Sequence, residues 1–118
     1  MIVGIGTDVV DLARWERLTE RSPGVVAKVL TPAEAATRLE SQAARFAAKE
    51  ALAKALGCPR GLDWQDCEVV ATDSGRPTWR WTGTIAAQAA ALGVTRSHLT
   101  LSHDAGVAVA FTVLEDDA

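Results

Sequence analysis

The stretch Arg45-Phe46-Ala47-Ala48-Lys49-Glu50-Ala51-Leu52-Ala53-Lys54-Ala55-Leu56-Gly57 constrains this chain more than any other. It consists of strong helix formers with no β-branched residue, and Gly57 followed by Pro59 supplies a stop signal. At 100° per residue, Ala47, Ala48, Ala51, Leu52 and Ala55 make one wide apolar face. A buried face so rich in alanine lets neighbouring backbones approach closely, so this helix is expected at the centre of the fold. Arg45, Lys49, Glu50 and Lys54 fall on the remaining surface, interleaved with Phe46, Ala53 and Leu56. Glu50 stands four residues from both Phe46 and Lys54, on the same side of the helix. Taken alone, Glu50 and Lys54 read as an ordinary ion pair on a solvated strip. A carboxylate bracketed by an aromatic and a lysine on a largely apolar helix is still the feature the rest of the chain must explain.

Around this helix the signals alternate between types. Ile2 to Thr7 reads as a short buried strand that delivers Asp8 at its C-terminal end. Gly4-Ile5-Gly6 hints at a dinucleotide fingerprint, but Val9 stands where the third glycine belongs, and no Gly-Lys-Ser/Thr phosphate loop occurs. Asp11 can cap a helix from Leu12 to Arg21, on which Arg14, Arg17 and Arg21 share a narrow sector opposite Glu16 and Glu20. Ser22-Pro23-Gly24 breaks the chain before a short helical turn, Val25 to Leu30. Thr31-Pro32-Ala33-Glu34 combines a Thr cap, Pro at the first position and Glu at the third, so a helix is expected from Pro32 to Glu40. Ser41 caps the central helix separately, or the two helices run together with a kink; both readings stay open.

Beyond Gly57 the texture changes to β. A strand within Trp64–Thr72, the turn Asp73-Ser74-Gly75 and a strand Pro77–Thr82 make a hairpin, with Trp79 and Trp81 on one face packed against helices. Thr84 can cap an alanine-rich helix ending at Gly93. His98–His103 and Val107–Leu114 form a second hairpin about Asp104-Ala105-Gly106, and the polar tail from Glu115 is expected to fray. The expected fold class is therefore α+β, a mostly antiparallel sheet packed on a long central helix, in one domain covering 1–118. The apolar strand Val107–Phe111 is expected to leave an edge that self-association would cover.

Charge and cysteine usage narrow the function. Twelve Lys and Arg against fifteen Asp and Glu give a net charge of -3, with no basic block, which argues against nucleic acid as a partner. Cys58 and Cys67 lack metal-ligand spacing and read as reduced thiols. With no leader segment and no apolar run of membrane-spanning length, a cytoplasmic location is expected and a membrane partner is not.

The candidate chemistry lies in two carboxylates. Asp8 at a strand end and Glu50 on a helix that packs on that strand can present oxygens to a hard cation. Mg²⁺ suits them, because it takes one or two carboxylates and completes its shell with water and substrate phosphate. Lys54, one turn from Glu50, would face a metal-bound phosphate as a point charge, with Arg45 and Lys49 adding positive charge nearby. Such a site serves phosphoryl chemistry. Ser102-His103-Asp104 cannot act as a triad, since neighbours along a strand face opposite ways. For His103, a ligand-contacting and a core reading both stay open. The arginine stripe reads either as a docking face for an acidic partner or as a solvated surface.

Gly4-Ile5-Gly6-Thr7-Asp8-Val9, the central segment Arg45 to Ala55, and Leu101-Ser102-His103 together resemble holo-acyl-carrier-protein synthase, the small type of 4′-phosphopantetheinyl transferase. The resemblance runs from Ile2 to Leu114. It implies a phosphopantetheinyl transferase fold and an Mg²⁺-dependent enzyme of fatty acid biosynthesis. That enzyme moves 4′-phosphopantetheine from coenzyme A to a serine of apo acyl carrier protein, releasing adenosine 3′,5′-bisphosphate. By motif position it implies Asp8 and Glu50 as metal ligands, with Glu50 and Lys54 as catalytic residues. Lys54, Arg45, the Gly75-Arg76-Pro77 turn and His103 would contact coenzyme A. It further implies Arg14, Arg17 and Arg21 as the carrier-protein surface, and a homotrimer with active sites between subunits. On this reading Lys54 turns toward phosphate rather than pairing with Glu50.

The resemblance is incomplete in two places. Arg76 stands where the family turn usually has lysine, which keeps the charge. The segment between Leu30 and Arg45 is shorter than is common in the family, and no contact is carried over from it. A rival from another class is a non-catalytic module that binds an acidic helix through the three arginines. A larger-range transferase acting on peptide synthetase or polyketide carriers is disfavoured by length, since those run to about two such domains.

Overall fold

The alanine face of the central helix lies directly on the N-terminal strand because that strand offers glycine where the two meet. A computed structural model describes residues 1–118. In chain order the elements are β1 (Ile2–Asp11), α1 (Leu12–Arg21), α2 (Pro23–Val29), α3 (Pro32–Ala35), α4 (Leu39–Ala55), β2 (Cys67–Ala71), β3 (Pro77–Trp81), α5 (Gly83–Ala91), β4 (Arg96–Asp104) and β5 (Val107–Glu115), with a 3-10 turn at Trp64–Asp66. A Cβ on Gly4 would fall 2.0 Å from the Ala55 carbonyl oxygen, and one on Gly6 would fall 1.8 Å from that of Ala51. The Gly-x-Gly of β1 is thus a helix-packing surface, which accounts for a fingerprint that leads to no nucleotide loop.

Alternation along β1 then does the rest. Gly4, Gly6, Asp8 and Val10 point toward α4, while Ile5, Thr7 and Val9 point away and are exposed. The sheet is antiparallel with strand order β1-β5-β4, and the β2–β3 hairpin forms a separate two-stranded sheet. Ala108, Ala110, Thr112 and Leu114 of β5 are buried beneath α4 beside Leu99 of β4. The α+β class and the helix laid across the sheet match expectation; the single sheet does not. Nor is Val107–Phe111 an edge, because β1 slots beside β5 and makes it the central strand. What stays uncovered is the outer face of the sheet, where Ile5, Val9 and Phe111 are exposed.

Local details differ from expectation for identifiable reasons. The capping box of Thr31 and Glu34 forms, but α3 lasts one turn and the chain re-enters helix at Leu39. Ser41 therefore lies inside α4 rather than capping it, and Arg38 at the cap position makes no side-chain cap bond. Gln42 secures the short link instead, its Nε2 donating to the Ala35 and Thr37 carbonyls at 2.9 and 3.0 Å. Its Oε1 accepts from Trp15 Nε1 at 3.3 Å, and Trp15 stacks at 4.9 Å on Phe46, which ties α1 to α4. Thr82, not Thr84, precedes α5, and Asp66 supplies the cap from outside by accepting the Thr84 N–H and O–H at 2.8 Å each. Trp79 joins the core cluster that includes the α4 alanines and also reaches the three-stranded sheet, donating to Thr112 Oγ1 at 3.1 Å. The tail does not fray at its start, since the Asp116 N–H donates to the Met1 carbonyl at 2.9 Å.

Candidate active site

Asp8 sits on the helix-facing side of edge strand β1, opposite Ala110, and Glu50 sits on the adjoining flank of α4. The two carboxylates line one cavity of about 220 Å³, walled by Val10, Trp15, Leu18 and Phe46 and reached by Arg14. Burial pushes the Glu50 carboxyl above its usual range, the nearby Asp8 charge adds to this, and Lys54 pulls it partly back. Glu50 is thus a partly desolvated carboxylate beside a second negative charge, an arrangement that favours a bound cation.

Lys54 belongs to this group but not as Glu50's partner. Its Nζ donates to the Thr7 carbonyl at 2.8 Å and reaches Asp8 Oδ1 at 3.4 Å. The side chain is 52% exposed, so it remains free to turn toward an arriving anion. Lys49 departs from its expected place on the charged strip. It is 1% exposed and points into the core, where Nζ meets Glu34 Oε1 at 2.7 Å. It therefore adds no charge to the open site. The Thr-Pro-Ala-Glu motif announced Glu34 as a cap residue; nothing in the local sequence announced that its carboxylate also receives a lysine.

A second cavity, of about 260 Å³, opens on another side of α4. Arg45, Gly75, Pro77 and His103 line it together with Ser41 and Leu101, so four of the residues implied for the nucleotide meet in one place. Arg76 does not join them. It lines a neighbouring cavity of about 460 Å³ with Thr72 and Thr78, on the far side of the turn. Asp104 closes its own turn, accepting the Ala105 N–H at 2.9 Å. Arg14, Arg17 and Arg21 are all exposed along α1, whose Asp11 cap accepts the Arg14 N–H at 3.2 Å. The stripe thus borders the Asp8–Glu50 cavity through Arg14.

No cluster of three or more His, Cys, Asp or Glu side chains occurs anywhere in the chain, so a closed all-protein cage is not what this donor set builds. Two carboxylates on a cavity wall suit a cation that keeps waters and shares a phosphate, as Mg²⁺ does.

A carboxylate pair on one side of the long helix and a basic, turn-lined cleft on another suit an enzyme that transfers a group from a phosphorylated substrate. The chain belongs to the 4′-phosphopantetheinyl transferase superfamily, whose family model, ACPS, matches residues 4–112. Within it, the chain is similar to the holo-[acyl-carrier-protein] synthase of Clavibacter michiganensis, 58% identical across 100% of this chain and 99% of the relative. In structure it is similar to the holo-[acyl-carrier-protein] synthase of Neisseria meningitidis, with a TM-score of 0.88, 32% identity and coverage of 98% of this chain and 100% of that one. It also matches the Helicobacter pylori synthase in complex with coenzyme A, with a TM-score of 0.82, 28% identity and coverage of 94% and 99%.

Proposed function

We infer that this chain transfers 4′-phosphopantetheine from coenzyme A to a serine of apo acyl carrier protein, giving the holo carrier and adenosine 3′,5′-bisphosphate. The convergence of Asp8, Glu50 and Lys54 on one cavity carries this reading, supported by full-length similarity to holo-[acyl-carrier-protein] synthases. Asp8 and Glu50 would hold Mg²⁺, which when bound neutralises diphosphate charge and orients the phosphorus for in-line attack. Lys54 leaves Asp8 to meet charge that builds on the leaving bisphosphate. The serine Oγ forms the new bond to the β-phosphorus as the bond to the diphosphate bridge breaks, and the serine proton passes to water or to Glu50. Arg45, Gly75, Pro77 and His103 hold the nucleotide portion, with Arg76 at its margin. The exposed arginines of α1 receive the carrier protein beside the cavity that Arg14 enters.

The working unit is a homotrimer on this reading. Arg45 and Glu50 stand about 140° apart around α4, and the two cavities share no lining residue. Asp8 and His103 lie on opposite edge strands, separated by β5, so about 10 Å of sheet divides them. One protomer thus presents two half-sites facing different ways, which a neighbouring copy can complete. The apolar outer face of the sheet, with Ile5, Val9 and Phe111, supplies a surface for such packing. The free thiols Cys58 and Cys67 fit the reducing compartment of a cytoplasmic enzyme.

The test is to incubate apo carrier protein with coenzyme A and Mg²⁺ and to weigh the carrier by mass spectrometry. A phosphopantetheine adduct that chelation abolishes is expected. Absence of the adduct, or full activity in Glu50→Gln and Asp8→Ala, overturns the reading.

A further inference from the structure

The most completely satisfied charged group in the molecule has no part in the proposed chemistry. Lys49 Nζ meets Glu34 Oε1 of α3 at 2.7 Å and donates to the Val29 carbonyl at the end of α2, also at 2.7 Å. Its last proton goes to the Trp64 carbonyl at 2.8 Å. An ammonium has three donors, and all three are used. Glu34 is bound as fully, since Oε1 also accepts the Thr31 N–H and Oε2 accepts the Val69 N–H, each at 2.9 Å. Both side chains are 1% exposed, and no buried side-chain polar atom in the chain lacks a partner.

Stability does not explain why an ion pair stands there, because apolar residues of similar volume in place of a buried pair are often neutral or better. What the pair adds is direction. Apart from Leu52 and Lys49 itself the buried residues of α4 are all alanine, packed on Gly4 and Gly6, and its first turn has no side-chain cap. A face so smooth offers few ridges to fix rotation about the helix axis. The ties from Lys49 to α2, α3 and the 3-10 turn, together with the Trp15–Phe46 contact to α1, fix it, and Glu50 is the next residue.

We infer that Lys49 and Glu34 are positioning residues for Glu50, setting the rotation of α4 at which its carboxylate faces Asp8. The inference rests on the reading of Asp8 and Glu50 as the metal pair. A rotation of about 10° moves a carboxylate roughly 6 Å from the axis by about 1 Å, and an error of that size can cost a reactive constellation about 100-fold.

The experiment uses the full chain with Lys49→Met/Glu34→Leu, which replaces the pair by apolar side chains, and Glu34→Asp, which keeps the charge but shortens the tie by one methylene. Folding is followed by near-ultraviolet circular dichroism, and kcat, the KM for coenzyme A and half-activating Mg²⁺ are measured. Mn²⁺ binding in the presence of coenzyme A is read by electron paramagnetic resonance, independently of turnover. The expected result is a folded double variant with a KM for coenzyme A within about threefold of the parent. Its kcat should fall at least tenfold, and Mn²⁺ binding should weaken at least tenfold. Glu34→Asp should move the same quantities in the same direction. Parental kcat and parental metal binding in either folded variant overturn the inference. Failure of the underlying reading looks different, because then the parent itself shows no Mg²⁺-dependent transfer or no loss on Glu50→Gln.

Discussion

Gly6 of β1 meets Ala51 of α4 so closely that a Cβ on the glycine would lie 1.8 Å from the alanine's carbonyl oxygen. Asp8 is two residues further along the same face of the strand, and Glu50 immediately precedes Ala51. The contact that closes the core therefore also sets the separation of the two carboxylates. Packing and the proposed metal pair share one pair of backbones here.

Gly6→Ala should accordingly damage both. The backbone oxygen it meets belongs to a helix and cannot swing aside, so the strand must lift from α4. Overpacking of this kind costs about 1–3 kcal/mol. Urea unfolding should show that loss, and the fraction that stays folded should carry less transfer activity per molecule. Unchanged stability would mean that the strand shifts freely on the helix.

How much of this was legible depended on whether a signal was local. The central helix, its alanine face, the Thr31–Glu34 capping box and the cap of α1 by Asp11 are local patterns, and each was readable. Asp8 and Glu50 could be paired only because the helix had to pack on the first strand. The burial of Lys49 was not readable, since its partners Val29, Glu34 and Trp64 come from three other segments. The same holds for the central place of β5, which depends on β1 pairing across nearly the whole chain. Arg76 fell outside the cleft it was expected to share because a tight turn sends neighbouring side chains to different sides.

Lys54→Met separates charge from packing. The side chain is half exposed and its 3.4 Å approach to Asp8 is a surface pair, worth at most about 1 kcal/mol. The thermal midpoint should stay close to the parent's. If Lys54 meets charge that develops on the leaving group, kcat should fall about 100-fold or more, with a smaller change in the KM for coenzyme A. A parental kcat would assign Lys54 only to the Asp8 pair.

The arginines of α1 make a prediction about the carrier protein alone. Arg17→Glu/Arg21→Glu should raise the KM for apo carrier protein by roughly 10- to 100-fold and leave that for coenzyme A unchanged. Raising salt from about 0.05 M to about 0.3 M should weaken carrier use by the parent and affect the variant far less, because screening acts only on an attraction that is present. Equal salt dependence in both proteins would remove this face from the docking surface.

Asp66 gives the fold a defined acid sensitivity away from the carboxylates of the site. Hydrogen bonds from the Thr84 N–H and O–H hold its carboxyl below the ordinary value of 3.8. A carboxyl lowered by folding contributes stability that is fully present above its unfolded value and is lost as pH falls through the folded one. Asp66→Ala should therefore lower the thermal midpoint at pH 7, and its deficit relative to the parent should narrow once pH drops below about 4. The same change frees the first turn of α5, so amide exchange at Thr84 and Ile85 should quicken at neutral pH, where the carboxylate is ionised. A deficit that stays constant from neutral to acid pH would show that Asp66 acts through its shape, not its charge.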